Sequence, residues 1–512
     1  MGTLTAESLI SDALMSTGST WIKKEDLLSY MVRRHFPKQE MNSAITAGKI
    51  IHYVDSKNQS YLTTSYINRM ENMIAANIMR LMYVSYCKKI SESYIRSLVA
   101  EFEINCNHGR HLHEHQVDGV IMVVNNNFSV LTGGPGTGKT TVLSAIAYVL
   151  RRLNAGVKIV YTAPTGKAAR RISESTGEKA STLHKKLGLG YKATKPTAFF
   201  EDVLFIDESS MNDTSLTSKL SGAMMNGRKV VFIGDVDQLP SVGLGAVLRD
   251  LIASNVVPVT MLTHTFRQDN NSTLFANICN IRNGIPSFKE GPDFHPLCMN
   301  ASCTDQDIIQ KILSVYQKEV AKYGREDVVV LVPFRKKRIC SNYLNNHLQR
   351  LANKPTGGCY VYNNILESNR IYFQKNDLVM QLLNREECAN GEVGTVTEVS
   401  QKGVAVDFNG TLVSYPPDQL DQLSLAYSMT VHKSQGSEYK SVIICMVNSH
   451  ASMLTRNLLY TGVTRAKKEC TVIYQEDALK KASATIAESS RITMLQEKLR
   501  ILNEKYKAVY GS

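Results

Sequence analysis

The feature that most constrains this chain is a glycine-rich octapeptide, Gly133-Gly134-Pro135-Gly136-Thr137-Gly138-Lys139-Thr140. It follows a short apolar segment that ends at Thr132, and it precedes a segment with helical apolar periodicity. In such a strand–loop–helix unit, the backbone N–H groups of the loop converge on phosphate oxygens and the helix N-terminus adds a favourable dipole. The pattern therefore predicts a nucleotide phosphate site within an α/β fold.

The residue types of the loop predict individual roles. We expect Lys139 to reach the β- and γ-phosphates of ATP, and Thr140 to ligate Mg²⁺. The residues expected to contact the nucleotide here are Gly133, Gly134, Pro135, Gly136, Thr137, Gly138, Lys139, Thr140 and Thr141.

A pair of adjacent carboxylates, Asp207 and Glu208, follows the apolar segment 203–206. The carboxyl ends of parallel strands are where α/β sheets gather ligands. We expect Asp207 to hold Mg²⁺ through water, and Glu208 to orient and deprotonate the attacking water. An adjacent acidic pair is, by itself, a common helix N-cap. Its position after a strand in a phosphate-loop protein favours the catalytic interpretation.

Short apolar strands alternate with helical segments from residue 127 onward, which is typical of a parallel sheet covered by helices. The predicted strands of the first set are 128–131, 157–161, 203–206, 230–233 and 257–262, and those of the second set are 328–332, 442–445 and 471–474. The sequence therefore predicts two parallel-sheet units.

Two regions differ from the parallel-sheet units in their pattern of apolar residues and turn signals. Between 360 and 425, short alternating strands are punctuated by the turn signals Asn390-Gly391 and Asn409-Gly410, which indicates a small β-barrel inserted in the second unit. Residues 1–105 contain helical patterns and a possible hairpin over 50–64, which favours a mainly helical, winged-helix-like module.

These patterns predict an α/β protein with five parts. They are an N-terminal module (1–105), a first parallel-sheet domain (106–270), a second parallel-sheet domain (271–359 and 426–480), the inserted barrel (360–425) and a C-terminal helix (481–512).

Composition narrows the class of protein. The chain of 512 residues carries 59 Lys and Arg against 46 Asp and Glu, a formal net charge of +13. This balance fits a polyanionic partner and fits a well-solvated basic surface about equally. The ten cysteines include no Cys-x-x-Cys pair, which favours a reducing compartment. No apolar run reaches the ~18 residues needed to span a bilayer, so we expect a cytoplasmic protein.

Five further segments occur in a fixed order with the phosphate loop between residues 112 and 475. They are 162–169 (TAPTGKAA), 207–211 (DESSM), 234–243 (GDVDQLPSVG), 431–438 (VHKSQGSE) and 460–466 (YTGVTRA). Together they resemble the motifs of the RecD-like helicases of superfamily 1, the RecD, TraA and Dda type. The resemblance implies two RecA-like motor domains, ATP and Mg²⁺ as cofactors, and movement on single-stranded DNA.

The resemblance also implies roles for residues around the γ-phosphate. Arg465 and Arg267 resemble the two arginines that stabilise charge on the transferring phosphoryl group. Asp235 and Gln238 resemble the γ-phosphate sensor. Its counterpart on the second motor domain consists of Gln435, Gly436 and Glu438. Gln116 resembles the glutamine that reads adenine, although a solvated helical glutamine is the alternative.

A single-strand track needs a cationic groove with polar and stacking contacts. By resemblance, the residues that line it are Pro164, Thr165, His184, Phe334, Arg335, Thr430 and His432. For His184 and Phe334, an ordinary loop or capping role is the alternative. The resemblance also implies a short hairpin pin within the first motor domain at about 186–201. Its Phe199 or Phe200 could cap the splitting base pair, unless this apolar stretch belongs to the core. His108, His111, His113 and His115 form a possible metal-binding group or a polar helix lead-in.

The resemblance therefore implies an ATP-dependent DNA helicase that travels 5′ to 3′ and serves replication, recombination or repair in a bacterial cell or a phage-infected host. The expected substrates are single-stranded DNA and junctions with duplex DNA. We expect a monomeric motor whose residues 1–105 are free to bind a protein partner. An RNA or nucleoprotein-remodelling motor and a degenerate-motor scaffold are the alternatives.

Overall fold

The computed structural model describes residues 5–189, 196–266, 272–336, 339–354, 358–364, 369–487 and 491–510. Within these ranges the chain forms two parallel sheets covered by helices, an antiparallel sheet inserted after the second sheet has begun, and a small N-terminal unit. The predicted α/β class with two RecA-like sheets is confirmed. Over the same ranges, no helix combines the length and apolar character required to cross a bilayer.

The N-terminal unit packs helices on a small antiparallel sheet. Its elements are α1 (Ala6–Thr17), β1 (Ile22–Lys23), α2 (Lys24–Arg33), α3 (Lys38–Thr46), β2 (Ile50–Val54), β3 (Ser60–Thr64), α4 (Ser65–Met79) and α5 (Glu92–Asn105). The strands lie in the order β1-β3-β2. The Asp55 carboxylate accepts hydrogen bonds from the backbone N–H groups of Lys57 (2.9 Å) and Gln59 (2.8 Å). This short polar turn joins β2 to β3.

The first parallel sheet contains the phosphate loop. In chain order its elements are α6 (Glu114–Val124), β4 (Phe128–Gly133), α7 (Lys139–Leu153), β5 (Ile159–Ala163), α8 (Gly166–Thr176), β6 (Ala180–Thr182), α9 (Leu183–Lys186), β7 (Val203–Ile206), α10 (Thr214–Ala223), β8 (Lys229–Gly234), α11 (Val247–Ser254) and β9 (Val259–Leu262). The strand order over the described residues is β6-β5-β7-β8-β4-β9, and all neighbours pair in parallel. The carboxyl ends of β4, β7 and β8 therefore lie side by side at one edge.

The second parallel sheet is interrupted by an insertion. Its first elements are α12 (Thr273–Arg282), β10 (Phe294–Cys298), α13 (Asp305–Tyr323), β11 (Val328–Val332) and α14 (Ser341–Ala352). The insertion consists of β12 (Cys359–Asn364), β13 (Asn369–Gln374), β14 (Leu378–Gln381), β15 (Val393–Ser400), β16 (Gly403–Phe408), β17 (Thr411–Tyr415) and β18 (Leu423–Leu425). The chain then continues through β19 (Ser428–Thr430), β20 (Tyr439–Met446), α15 (Arg456–Val463), β21 (Ala466–Tyr474), α16 (Glu476–Ala484) and α17 (Leu495–Tyr510).

In the part of the chain that the structure describes, the second sheet has the order β10-β21-β20-β11-β19, and the insertion forms an antiparallel sheet ordered β17-β16-β15-β14-β18. The buried carboxylate of Asp377, which precedes β14, joins the two layers. It accepts hydrogen bonds from the side chains of Gln349 on α14 and Asn353 at the end of that helix, and from the Tyr427 hydroxyl. Because these partners come from α14 and from the segment between β18 and β19, the insertion is held firmly against α14.

Helix α17 returns to the first sheet after the second sheet is complete. Leu495 and Leu499 are buried in one cluster with Ile74 and Ile78 of α4 and Leu251 of α11. This cluster covers one face of the first sheet, whereas α5, α6, α7 and α8 cover the other. The first sheet is therefore closed by helices from both ends of the described chain.

The buried carboxylate of Glu71 on α4 holds these helices together. It accepts hydrogen bonds from the Thr20 hydroxyl (2.6 Å), the Trp21 indole N–H (3.0 Å), the Lys498 ammonium (2.9 Å) and the Met494 backbone N–H (3.3 Å). The network unites the N-terminal unit, α4 and α17. Burial lowers the pKa of Lys498, and the Glu71 charge opposes that shift.

Replacing Lys498 with methionine is expected to reduce the free energy of unfolding by about 3–5 kcal/mol, because it leaves the Glu71 carboxylate buried without its cation. The chain has one tryptophan, Trp21, which lies in this network, so denaturant titration followed by tryptophan fluorescence measures the loss directly. Lys507→Met on the exposed part of α17 is the matched control. A Lys498→Met protein as stable as this control would contradict the prediction.

Candidate active site

The phosphate loop connects β4 to α7 with backbone that only glycine accommodates. Gly138 has φ +78°, and a Cβ at this position would lie 2.4 Å from Nε2 of Gln116. The Lys139 ammonium donates to the carbonyl oxygens of Gly133 (2.7 Å) and Gly134 (2.8 Å). The cation that is expected to meet phosphates therefore already points into the loop. Thr140 and Thr141 occupy the first turn of α7, and Pro135, Gly136 and Thr137 complete the loop.

Gln116 is bonded into the back of this loop. Its amide nitrogen donates to the Thr137 carbonyl (3.1 Å), and its amide oxygen accepts from the His113 backbone N–H (3.0 Å). The His113 ring stacks on the His264 ring at 4.7 Å and 6°, and Phe266 meets His264 edge-on. The arrangement gives a set of flat rings beside the loop, where a planar base has surfaces to contact.

The histidines before α6 have protein partners. His111 Nδ1 lies 2.7 Å from the Glu103 carboxylate, and His115 Nδ1 lies 2.9 Å from the Thr263 hydroxyl. Over the described ranges, no group of three or more His, Cys, Asp or Glu side chains has the geometry of a metal site. The structure gives no support to the metal interpretation of this group.

The acidic pair lies directly after β7. Burial, together with the neighbouring Glu208 carboxylate, raises the pKa of Asp207 to about 6. The Asp207 carboxylate accepts a hydrogen bond from the Glu208 backbone N–H (2.8 Å), and Glu208 has the left-handed φ of +49°. A non-glycine residue in this conformation is strained, and such strain is concentrated at functional sites. The left-handed backbone turns the Glu208 side chain away from the direction of β7.

Asp235 and Gln238 follow β8, the neighbouring strand. Asp235 Oδ2 accepts a hydrogen bond from the Tyr460 hydroxyl (3.0 Å) and lies 3.5 Å from Gln238 Nε2. The Gln238 amide oxygen is buried and, among the described residues, has no hydrogen-bond partner. An unpartnered buried acceptor is costly unless a ligand or water meets it. Gln238 is therefore poised for a donor other than the residues that the structure describes.

Tyr460 is a site residue to which the sequence analysis gave no role. A Cβ on Gly134 would lie 3.2 Å from its hydroxyl, so this side chain of the second sheet reaches the phosphate loop. Burial, and secondly the Asp235 charge, raises the pKa of Tyr460. The motif 460–466 contained the tyrosine, but its partner lies 225 positions away.

Three further contacts join the two sheets at the 235–245 loop, which links β8 to α11. The Leu239 backbone N–H donates to the Thr461 hydroxyl (2.7 Å), and its carbonyl accepts from Gln435 Nε2 (3.2 Å). Asn457 Nδ2 donates to the carbonyl of Gln238 (3.2 Å). Movement of the second sheet is therefore transmitted to Gln238.

Arg465 lies buried in the cleft between the sheets. Its guanidinium donates to the carbonyls of Thr461 (3.1 Å) and Ser437 (3.3 Å). Burial lowers its pKa, while the charges of Glu208 and Glu438 oppose the shift. The guanidinium is thus held by its own sheet and acts electrostatically on Glu208 of the other.

The remaining predicted nucleotide residues are placed as follows. Glu438 forms an ion pair with Arg171 of α8 (2.9 Å) across the cleft. Gly436 has φ +74°, and a Cβ there would lie 3.1 Å from Ala168, so the second sheet approaches α8 closely. Arg267 lies outside the described residues.

A cavity of about 430 Å³ lies beside the cleft and contains part of the predicted track. Its lining includes Pro164, Thr165 and His184 of the first sheet, Asn390 of the insertion and Gln435 of the second sheet. Thr165 also caps α8 by accepting from the Ala168 backbone N–H (3.3 Å). The cavity brings three of the seven predicted track residues together.

The other four track residues lie on the second sheet. Thr430 caps a short turn by accepting from the Lys433 backbone N–H (3.4 Å), and the Lys433 ammonium donates to Asn390 of the cavity (2.7 Å). Burial, and secondly the charge of Arg491, lowers the pKa of His432. Phe334 meets His450 edge-on, and Arg335 is exposed.

The predicted pin has a partly different outcome. Phe199 is buried in the core of the first sheet, so of the two phenylalanines only Phe200 remains a candidate base-pair cap. Phe200 is 67% exposed, because adjacent residues of extended chain face opposite sides. The described flanks 186–189 and 196–201 form no strand, and the predicted tip, 190–195, lies outside the described residues.

Two protein families match this chain. An AAA domain matches residues 111–291, which contain the phosphate loop, the acidic pair and the 235–245 loop. A UvrD-like helicase C-terminal domain matches residues 425–473, which contain Gln435 and Arg465.

Similar proteins are found among bacterial enzymes. The chain is 34% identical over 396 residues to the ATP-dependent RecD2 DNA helicase of Deinococcus radiodurans, which covers 76% of this chain and 52% of the relative. It is 27% identical over 428 residues to the RecBCD enzyme subunit RecD of Mycolicibacterium smegmatis, with 76% and 75% covered. The RecD subunit of Buchnera aphidicola subsp. Schizaphis graminum is 25% identical over 439 residues, with 70% and 72% covered. The chain therefore spans about half the length of the Deinococcus relative and nearly three quarters of the two RecD subunits.

Among solved structures, a Pif1 helicase from Bacteroides in complex with ADP-AlF3 and single-stranded DNA aligns with a TM-score of 0.45 and 18% identity. The alignment covers 78% of this chain and 98% of that one.

Proposed function

We propose that the chain belongs to the RecD-like family of superfamily 1 helicases, and that it is an ATP-dependent DNA helicase that unwinds duplex DNA while it translocates 5′ to 3′. The proposal is carried by one observation. The buried guanidinium of Arg465 is held beside the second sheet, in the same short segment as Tyr460, whose hydroxyl reaches Asp235 of the first sheet. An enzyme whose hydrolysis depends on domain closure needs a cation supplied in this way.

The cleft suits ATP with Mg²⁺. Lys139 presents an ammonium inside a loop of backbone N–H groups, and Asp207 and Thr140 supply the oxygen ligands that Mg²⁺ prefers. The bound ion neutralises charge on the phosphates. Glu208 orients and deprotonates the attacking water, and the unpartnered oxygen of Gln238 accepts a hydrogen bond from that water. Gln116 and the His113–His264 stack receive the base.

Single-stranded DNA runs through the cavity between the sheets in this proposal. Pro164, Thr165 and His184 contact it from the first sheet, and Thr430, His432, Phe334 and Arg335 contact it from the second. The net charge of +13 favours a polyanionic track. Because Gln435 lines the cavity and also bonds the Leu239 carbonyl, the strand and the nucleotide are read by one connected set of residues.

We further propose that the protein serves replication, recombination or repair in the cytoplasm of a bacterial cell or a phage-infected host. The N-terminal unit offers a surface for a protein partner. The relatives named above are bacterial DNA helicases or subunits of a RecBCD enzyme, which supports a role in DNA metabolism.

Unwinding of two forked-end duplexes tests the function. One substrate has only a 5′ single-stranded tail and the other only a 3′ tail, and strand release is followed with a fluorophore–quencher pair in the presence of ATP and Mg²⁺. We expect only the 5′-tailed duplex to open. Lys139→Ala is expected to abolish opening, because the β- and γ-phosphates lose their cation.

Each other outcome corrects a specific part of the proposal. Opening of the 3′-tailed duplex alone would reverse the polarity. If neither duplex opens although single-stranded DNA stimulates ATP hydrolysis, the protein is a translocase without a wedge at 186–201. If RNA stimulates ATP hydrolysis and DNA does not, the track binds RNA and not DNA.

A further inference from the structure

The segment that enters α17 lies outside every motif, yet it contacts the loop that follows β8. Arg491 lies 250 positions after Ser241, and its guanidinium clasps the 235–245 loop. It donates to the carbonyls of Gly245 (2.6 Å), Gly243 (3.2 Å) and Ser241 (2.8 Å). Three carbonyls of a single loop thus converge on one cation.

The N-terminal unit holds the same loop from the other side. The Gly18 carbonyl accepts a hydrogen bond from the Gly245 backbone N–H (2.8 Å). Gly18 also packs against Arg491, because a Cβ at this glycine would lie 2.7 Å from the guanidinium carbon. The Ile492 carbonyl accepts from the backbone N–H groups of Thr20 (3.0 Å) and Trp21 (3.1 Å). The loop, the N-terminal unit and the segment before α17 therefore meet at Arg491.

The 235–245 loop, which Arg491 bonds, contributes to both the proposed nucleotide site and the cavity. Its first half contains Gln238 and Asp235, and Asp235 accepts from the Tyr460 hydroxyl beside Gly134 of the phosphate loop. Its second half, 240–243, lines the cavity with Pro164 and His184. These two halves lie a few residues apart in one loop. Anchoring the second half therefore determines how far a bound strand displaces Gln238.

We propose that Arg491 is a positioning residue that couples DNA binding to ATP hydrolysis by fixing the 241–245 part of this loop. The inference rests on the proposed helicase function and extends it to two parts of the chain that carry no helicase motif. Without the guanidinium, three carbonyls lose their shared donor and the loop moves independently of its neighbours. DNA then binds without moving Gln238 into its position beside the nucleotide.

Steady-state ATP hydrolysis by the full chain, with and without single-stranded DNA, tests the role. Arg491→Ala is expected to reduce the stimulation by DNA about tenfold, a change within the usual range of coupling between two sites. The rate without DNA and the Michaelis constant for ATP should stay near those of the unaltered protein. Arg491→Lys, which keeps the charge but not the fork of donors, should give an intermediate value.

Arg500→Ala is the matched control for this change. Arg500 stands on α17 and donates to the carbonyls of Ala253 and Ser254, so its loss weakens the docking of α17 without touching the 241–245 loop. Equal stimulation in Arg491→Ala and Arg500→Ala would overturn the inference. A Trp21 fluorescence unfolding curve for each protein separates loss of stability from loss of coupling.

A second pair of variants displaces Arg491 without removing it. Alanine at Gly18 meets the guanidinium, whereas alanine at Gly48 has nothing within 4 Å, and both positions have a left-handed φ near +70°. The backbone strain is therefore alike. Gly18→Ala should lose DNA stimulation and Gly48→Ala should keep it. Equal behaviour of the two would count against the inference.

Failure of the inference differs from failure of the proposed function. If the unaltered protein shows no stimulation by single-stranded DNA, both fall. If it is stimulated and unwinds DNA, but Arg491→Ala matches Arg500→Ala, only the role of Arg491 is wrong.

Discussion

Replacing Arg465 with lysine is expected to lower DNA-stimulated ATP hydrolysis by about 10³-fold or more, the usual worth of an arginine that stabilises the transferring phosphoryl group. The guanidinium is held by the carbonyls of Thr461 and Ser437 and acts on Glu208 across the cleft. An ammonium cannot bond both carbonyls and also offer a forked donor to a phosphate. The turnover number should fall while the binding of single-stranded DNA stays intact.

Arg456→Lys is the control for this prediction. Arg456 begins α15, the helix that ends just before Arg465, but its guanidinium bonds the Ser483 carbonyl. Turnover numbers from a coupled ATPase assay at saturating DNA decide between the two. A loss in Arg465→Lys no larger than in Arg456→Lys would mean that the charge on the phosphoryl group is stabilised by another residue.

Glu208→Gln is expected to reduce the turnover number about 10²- to 10⁴-fold, the usual contribution of a general base. Glutamine keeps the size of the side chain and the left-handed backbone, but it does not accept a proton from water. The affinity for ATP, measured with a fluorescent analogue, should change little, because Lys139 and the loop remain. The protein should therefore trap ATP and hold DNA without unwinding it.

The exposed carboxylate Glu174 on α8 provides a comparison for that change. Glu174→Gln removes the same charge from the same domain at a distance from the acidic pair. Near-normal turnover in Glu208→Gln would transfer the role of base to another group and leave Glu208 with a structural one.

The parallel sheets could be predicted because their signal is local. Apolar runs such as 203–206 and 328–332 coincide with β7 and β11, and the loop glycines stand where β4 ends. The strands that were missed, β6, β10 and β19, are short edge strands that pair on one side only within the described sheets. Half-exposed residues such as Ala180 and His295 carry little apolar pattern.

The same contrast between local signals and long-range contacts applies to the predicted site residues. Asp207, Glu208 and Asp235 could be predicted because each follows an apolar strand, and parallel strands end at a common edge. The contacts of Tyr460 with Asp235 and of Arg491 with Ser241 connect residues more than 200 positions apart. No periodicity reports such a pairing, and an isolated arginine is usually a surface residue. The domain limits and the residue roles stay predictions.

Phe199 illustrates a different limit. Two adjacent aromatic residues in an apolar stretch do not reveal which of them faces the core, since the answer depends on the direction in which the chain leaves β7. The structure buries Phe199 and exposes Phe200. Only the tertiary fold distinguishes the two.

The packing of α17 on the first sheet has a consequence for synthesis on the ribosome. Domains usually fold in the order in which they emerge. Here Leu495 and Leu499 complete a face whose strands lie more than 200 residues earlier, so the first sheet stays partly uncovered until the second sheet and the insertion have been translated. A nascent chain that stalls before residue 495 exposes Ile74, Ile78 and Leu251, the kind of apolar surface that chaperones bind.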